Sequence, residues 1–359
     1  MHQFQRIQLW KRAASGPRFD VRGLTINRTI VSRHTYPANI PTRKYSTILN
    51  TPCEIPACQL ESKVHPQGWE KIQARVEPYF GKNWNFASTK EKRGFLAIGF
   101  SRAFSHFFPL TLDVRIETTC KMHYLVLLID DQLEKMDFTQ MLSYRERVMN
   151  IALGIASPDR DLCLEWMLHD TFQDMRNIDE VLANDVAQGF CQLLQAQTSQ
   201  ERISIQTLGS YLSFREVDAG RPFYTALIRF GAKLSLSHAE LENVSALERA
   251  AFRHMGVVND IYSWEREWRV FQENQTDGSR PLSAIYILAN ETELPFAACK
   301  RLMYSYCREL ELAIKKTRDE LRNDGVNELS PEMDMYIKGL EYFMRGNELW
   351  SQWTPRYRQ

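Results

Sequence analysis

Asn259-Asp260-Ile261-Tyr262-Ser263-Trp264-Glu265-Arg266-Glu267 sets an amide, a hydroxyl and a carboxylate at spacings of four and four. At about 100° per residue, a helix turns these three directions through only about 80° over eight residues, so Asn259, Ser263 and Glu267 line one strip. Three hard oxygen donors of mixed charge then face one way. With positions left for water and phosphate, that is the kind of partial cage that suits Mg2+. A polar, solvated helix face is the alternative reading of the strip. The stretch lies within residues 238–268, where apolar residues recur at three and four, and Ser237-His238-Ala239-Glu240 before it reads as a capping box.

The same periodicity runs outward in both directions. Segments near 88–106, 112–132, 139–155, 158–174, 177–197, 203–216, 221–236, 281–290, 295–322 and 331–345 all fit helical spacing, and no alternating strand pattern of comparable length occurs. Ser88-Thr89-Lys90-Glu91 reads as a further capping box, while Ser157-Pro158 and Ser330-Pro331 each place an N-cap before a first-turn proline. No repeat of fixed period is visible, which disfavours a solenoid. With 359 residues and 44% hydrophobic content the chain can enclose a large core, and its reading is a single all-α domain.

Charge divides the chain. Lys and Arg number 45 against 44 Asp and Glu, so no global field draws the protein to nucleic acid or a membrane surface. Residues 1–52 nevertheless hold nine basic side chains and one acid, Asp20, which leaves 36 basic against 43 acidic beyond them. A basic, variable extension over residues 1–60 and a helical domain over 61–359 are expected. The extension reads either as a cover over the acidic body or, with Phe4, Ile7 and Trp10 on one helical face, as a mitochondrial transit peptide. The longest apolar run of helical character, Tyr124 to Ile129, is far short of the roughly 20 residues of a bilayer span. Seven scattered cysteines do not form a secreted disulfide framework and point to a reducing, cytoplasmic setting. Cys53 and Cys58 have no partner pair for zinc. The sequence leaves monomer and homodimer open.

Asp130-Asp131-Gln132-Leu133-Glu134 follows the apolar run near a helix end, since Asp137-Phe138-Thr139 looks like the next helix start. Carboxylates there add to the negative end of the macrodipole and call for compensation. Asp130 and Glu134, four apart, share a face, so a divalent cation could supply it; a solvated helix end beside Lys135 is the alternative. Two such clusters imply a ligand with several phosphate oxygens, which arginines in fixed geometry would complete. Arg215, with Asp218 three residues on, and Arg356-Tyr357 near the chain end are the candidates.

In this combination the sequence resembles class I terpene cyclases of the fungal and bacterial type, sesquiterpene cyclases in particular. Asp130-Asp131-x-x-Glu134 resembles the family's aspartate-rich motif, and Asn259, Ser263 and Glu267 match its second metal motif at every ligand position. Arg215 falls where the family has a diphosphate-sensing arginine, Asp218 at the linker position, and Ala219 at an effector position where glycine is common. Arg266 stands where a basic residue often contacts diphosphate, and Arg356-Tyr357 resembles the C-terminal Arg-Tyr motif. Glu134 and Ala219 depart from the commoner pattern.

The resemblance covers about residues 65–357. It implies an α-helical bundle with a central cavity, in which three Mg2+ ions bridge a prenyl diphosphate, most simply farnesyl diphosphate, to Asp130, Asp131, Glu134, Asn259, Ser263 and Glu267. Arg215, Arg266, Arg356 and Tyr357 would donate to the diphosphate as the C–O bond ionises. The resulting allylic cation needs a dry aromatic pocket. Helical spacing places Val126 and Leu127 one turn below Asp130, Phe252 and Met255 below Asn259, and Tyr211 below Arg215, as expected cavity lining. A prenyl-diphosphate coupling enzyme would carry a second aspartate-rich motif where this chain has Asn259-x-x-x-Ser263. A non-catalytic scaffold would be expected to have lost a ligand position.

Overall fold

The computed structural model describes residues 57–277, 279, 281–323 and 329–358, and among them there is no strand. The expected N-terminal extension, its transit-peptide reading and Cys53 fall, up to residue 56, outside the described residues. The helices are α1 (Trp69–Asn83), α2 (Thr89–Ala97), α3 (Phe100–Phe107), α4 (Ile116–Leu133), α5 (Phe138–Ala152), α6 (Cys163–Ile178) and α7 (Glu180–Gln197). They continue as α8 (Glu201–Ser204), α9 (Leu208–Asp218), α10 (Arg221–Ala232), α11 (His238–Asn274), α12 (Ala284–Thr292), α13 (Phe296–Asn323) and α14 (Pro331–Trp353), closing with a 3-10 turn, Pro355–Tyr357.

Local caps decide several starts. Ser237 and Glu240 form a reciprocal box that opens the 37-residue α11, and Asp137 with Gln140 does the same for α5. Ser330 accepts from the Met333 N–H, with Pro331 as the first residue of α14. Three expected segments differ, the first being that near 203–216, which splits into α8 and α9 where Ile205 turns extended. The segment near 88–106 is two helices, because Gly99 takes φ 73° between them and a side chain there would meet the Trp353 ring at 2.9 Å. Ser157-Pro158 caps nothing. Glu165 accepts from the Asp159 N–H at 2.8 Å and Arg147 donates to the Ser157 carbonyl at 2.9 Å, which ties this segment down as a loop and delays α6 to Cys163.

α7 packs on α10, α11 on α13 and α14, and α14 on α3. One large core runs through these contacts. A satellite core sits where α9, α11, α12 and α13 meet, built from Tyr211, Val258, Ile261, Trp264, Ile285, Leu288 and Met303. The six described cysteines are free, and no helix among the described residues is long and apolar enough to cross a membrane. What this packing leaves unfilled is a cavity of about 240 Å³ between α4 and α11, with side chains of α3, α7, α9, α10 and α14 completing its wall.

Candidate active site

At the mouth of that cavity, the last turn of α4 gathers Asp130, Asp131 and Glu134, whose carboxylates can bring one oxygen each to within 4.8 Å of one another. Like charges this close repel. Enclosure in the cleft and the Glu134 and Asp131 carboxylates push the Asp130 carboxyl up to about 7, against the pull of Arg356 and Arg266. The Asp130 side chain is still 41% exposed, so mutual repulsion is the part of that shift which survives while water fills the cleft. Arginines supply the present compensation. Arg356 donates to Asp131 at 2.7 Å, and Arg266 forks onto both oxygens of Glu134 at 3.0 Å.

Across the mouth, Asn259, Ser263 and Glu267 lie along α11 and all three line the cavity. Ser263 donates to Glu267 at 2.5 Å, and the Asn259 amide N–H donates to the Tyr357 hydroxyl at 2.6 Å. Asn259 Oδ1 accepts from Arg215 at 2.8 Å. The same guanidinium donates to Asp260 at 3.0 Å and Asp218 at 2.5 Å. Burial works against this charge, yet Tyr211, Asp260, Asp218 and Glu267 outweigh it and hold the Arg215 pKa above the ordinary arginine value. Arg215 can lie this close to α11 because residue 256 is glycine; a Cβ there would stand 2.7 Å from Arg215 Cγ.

Asp260 points away from the cavity and is fully buried. It accepts from Tyr211, from Arg215 and from the Ala284 N–H at 2.8 Å, so it fixes Arg215 and the start of α12 together. Burial pushes its carboxyl up to about 6, with Arg215 pulling the other way. The 3-10 turn returns Arg356 and Tyr357 to the mouth. It is held by Trp350 and Thr354, whose side chains donate to the Ile98 carbonyl at 3.3 and 3.4 Å, and by the Trp350 ring packed edge-on to Tyr357.

Of the expected lining residues, Val126, Leu127 and Met255 face the cavity, and Tyr211 and Phe252 do not. The depth rule holds for both residues on α4 and for Met255 on α11, and fails for Phe252 on α11 and for Tyr211 on α9, whose last turn, Arg215 and Asp218 with Ala219 after it, is the only part that borders the cavity. One turn earlier, Tyr211 is in the satellite core, donating to Asp260. Phe252 stands one layer back: Tyr224, at 6.4 Å, and Phe343, at 5.8 Å, lie between it and the cavity.

Several cavity residues have no motif to announce them. Phe100, Phe107, Tyr224, Phe343 and Trp350 form aromatic walls, and Arg202 of the one-turn α8 reaches Asp218 beside Arg215. His123 is different: it precedes Asp130 by seven residues on the same helix face, so the spacing that selected Val126 and Leu127 would also have selected it. The donor set at the mouth, carboxylates with an amide and a hydroxyl, is all oxygen. Together with the crowding that lifts Asp130, it fits a hard divalent cation such as Mg2+.

A family profile described as "Terpene synthase family 2, C-terminal metal binding" matches residues 121–312, which span both acid clusters. The chain is 36% identical over 304 residues to an aristolochene synthase of Aspergillus terreus, covering 85% of this chain and 94% of that protein. It is 39% identical over 304 residues to an aristolochene synthase of Penicillium roqueforti, covering 84% and 88%. The crystal structure of aristolochene synthase from Penicillium roqueforti aligns with a TM-score of 0.74 at 37% identity, covering 84% of this chain and all of that one.

Proposed function

The chain belongs to the terpene synthase family, and from that premise we propose that it is a Mg2+-dependent cyclase converting farnesyl diphosphate to a sesquiterpene hydrocarbon or alcohol with release of diphosphate. The observation that carries this reading is the meeting, at one mouth, of two oxygen-donor clusters and four arginines above a pocket walled by aromatic rings.

In this reading Asp130, Asp131 and Glu134 on α4 and Asn259, Ser263 and Glu267 on α11 hold three Mg2+ ions, which supply Lewis acidity to the diphosphate leaving group. Arg356 and Arg266, which now donate to Asp131 and Glu134, would donate to diphosphate oxygens where those carboxylates held cations. Arg215 is already oriented by Asp218 and Asp260, so little reorganisation is needed as charge develops on the leaving oxygen. Tyr357, joined to Asn259, adds a hydroxyl donor at the same mouth. Below it, Phe100, Phe107, Tyr224, Phe343 and Trp350 exclude water and turn ring faces and edges toward the allylic cation. Residues 61–359 constitute the catalytic domain and residues 1–60 precede it as an extension.

Incubation of the full chain with geranyl, farnesyl and geranylgeranyl diphosphates tests the proposal. Mg2+-dependent diphosphate release with a cyclic C15 product from farnesyl diphosphate, abolished by EDTA, is expected. Product formation only when isopentenyl diphosphate is added would establish a coupling enzyme, and no release from any substrate would establish a scaffold.

A further inference from the structure

His123 is 5% exposed, and neither of its ring nitrogens has a hydrogen-bond partner. A buried imidazole ordinarily satisfies at least one nitrogen with a carbonyl or carboxylate, because leaving both unpaired costs free energy that an apolar side chain of similar size avoids. Here no donor or acceptor lies within hydrogen-bonding distance of either nitrogen. Phe100 and Phe107 stand edge-on at 5.3 Å, with Tyr224 at 5.9 Å and Phe108 at 6.0 Å. The ring lines the candidate active-site cavity. Seven residues before Asp130 on one helix, it lies about 10 Å below the mouth on the same face.

We propose that His123 is the proton acceptor that ends the reaction, taking a proton from the last carbocation to give the product olefin. The inference rests on the cyclase reading and adds to it the fate of the final cation. The C–H bond next to the cationic carbon breaks, its electron pair becomes the new C=C π bond, and the proton passes to the free imidazole nitrogen. Imidazolium is poorly solvated among these rings, so it returns the proton to departing diphosphate or to water as the pocket opens.

Two features fit the ring to this work. Burial holds its pKa at about 3, so at neutral pH the imidazole is uncharged and its lone pair is available to a cation, which is a far stronger acid than imidazolium. The other polar groups at this depth are weaker acceptors. Asn347 offers an amide, and its N–H already donates to the Met255 carbonyl at 3.2 Å, while Tyr224 offers a neutral phenol.

The test uses the full chain with farnesyl diphosphate and Mg2+, comparing wild type, His123→Phe and His123→Ala by diphosphate release, product profile and circular dichroism. His123→Phe keeps an aromatic ring without a lone pair. Both variants are expected to release diphosphate within about tenfold of wild type while the share of the main olefin falls by about 10²-fold, the lower end of general-base contributions. Earlier olefins or water-derived alcohols should replace it. Imidazole added to His123→Ala should restore the main olefin. Pyrrole, of the same shape but without a basic nitrogen, should not, and this comparison stands even if His123→Phe folds poorly. Wild-type product share from His123→Phe, equal rescue by pyrrole, or an alcohol as the wild-type main product would overturn the role of His123 alone. No diphosphate release from the wild type would overturn the cyclase reading beneath it.

Discussion

Gly256→Ala separates two opposed physical effects at one residue. Gly256 is well inside α11, where replacing glycine by alanine gains about 1 kcal/mol of helix propensity. Against that, the new Cβ would sit 2.7 Å from Arg215 Cγ and 3.2 Å from Nε, so Arg215 must move by about 0.7 Å to reach the 3.4 Å of ordinary contact. The atom in the way is near the root of the side chain. The far end is held by Asn259 at 2.8 Å, Asp260 at 3.0 Å and Asp218 at 2.5 Å, so it cannot swing aside without loosening at least one charge-assisted bond. Overpacking of this kind costs about 1–3 kcal/mol, which leaves a net loss of about 0–2 kcal/mol and a Tm lowered by at most a few degrees.

Turnover should respond more strongly, because a misplacement approaching ~1 Å in a positioning group costs up to ~10²-fold. Steady-state diphosphate release should therefore show kcat falling by about 10- to 100-fold in a protein that still unfolds cooperatively. Gly94→Ala is the control: it is helical, nothing lies within 4 Å of its added Cβ, and it should leave kcat unchanged. A Gly256→Ala enzyme with raised Tm and kcat within twofold of wild type would refute the placement of Arg215 across α11.

Ser263→Ala removes one oxygen from the α11 strip and the donor that Glu267 now uses at 2.5 Å, and should raise the Mg2+ concentration for half-maximal activity by about 10- to 100-fold at unchanged Tm. The Asp130 carboxyl, pushed up to about 7, holds a proton at lower pH that a cation must displace. Mg2+ affinity measured by titration calorimetry should therefore fall as pH is lowered through the raised Asp130 pKa, by up to about tenfold per pH unit, and an affinity that stays flat down to pH 4 would contradict a raised Asp130 pKa. Leu127→Ala should change product proportions with little loss of stability. Phe252→Ala, one layer behind the wall, should instead cost about 3–5 kcal/mol, read as a lowered denaturation midpoint.

What the sequence disclosed is what local geometry determines. The Ser237, Asp137 and Ser330 caps are settled within four residues, and the alignment of Asn259, Ser263 and Glu267 needs only helical periodicity. What it withheld depends on partners distant along the chain. Gly99 breaks a helix against Trp353 of α14, and the loop after Ser157 is tied by Glu165 and Arg147. Phe252, buried, and Tyr224, partly buried, are both large aromatics in helical register, and only the packing of α10 and α14 against α11 decides which one meets the cavity. Arg202 was out of reach because a single-turn helix has no periodicity to read. His123 was within reach but carries no motif; its oddity is the absence of a hydrogen-bond partner at either nitrogen, which only the packing around it determines.

The mouth also has a charge balance that explains why its arginines face inward onto acids. Five carboxylates at the mouth, those of Asp130, Asp131, Glu134, Asp218 and Glu267, and that of Asp260 buried behind it meet four guanidiniums, those of Arg202, Arg215, Arg266 and Arg356, through the pairs at Asp131, Glu134, Asp218 and Asp260. Four cations do not neutralise six anions in and behind this partly enclosed cleft, so the mouth retains negative charge, and the Asp130 carboxyl, raised first by burial, is raised further by Glu134 and Asp131. A bare diphosphate would therefore meet repulsion from the acids and find its arginines already engaged. In the proposed function a divalent cation would reverse both conditions, since carboxylates that held it would leave the guanidiniums to the phosphate oxygens. Cation and diphosphate are thus coupled ligands, each raising the affinity of the other by the same factor. In the proposed function, leaving-group departure would then be confined to the state in which cation and diphosphate are both bound.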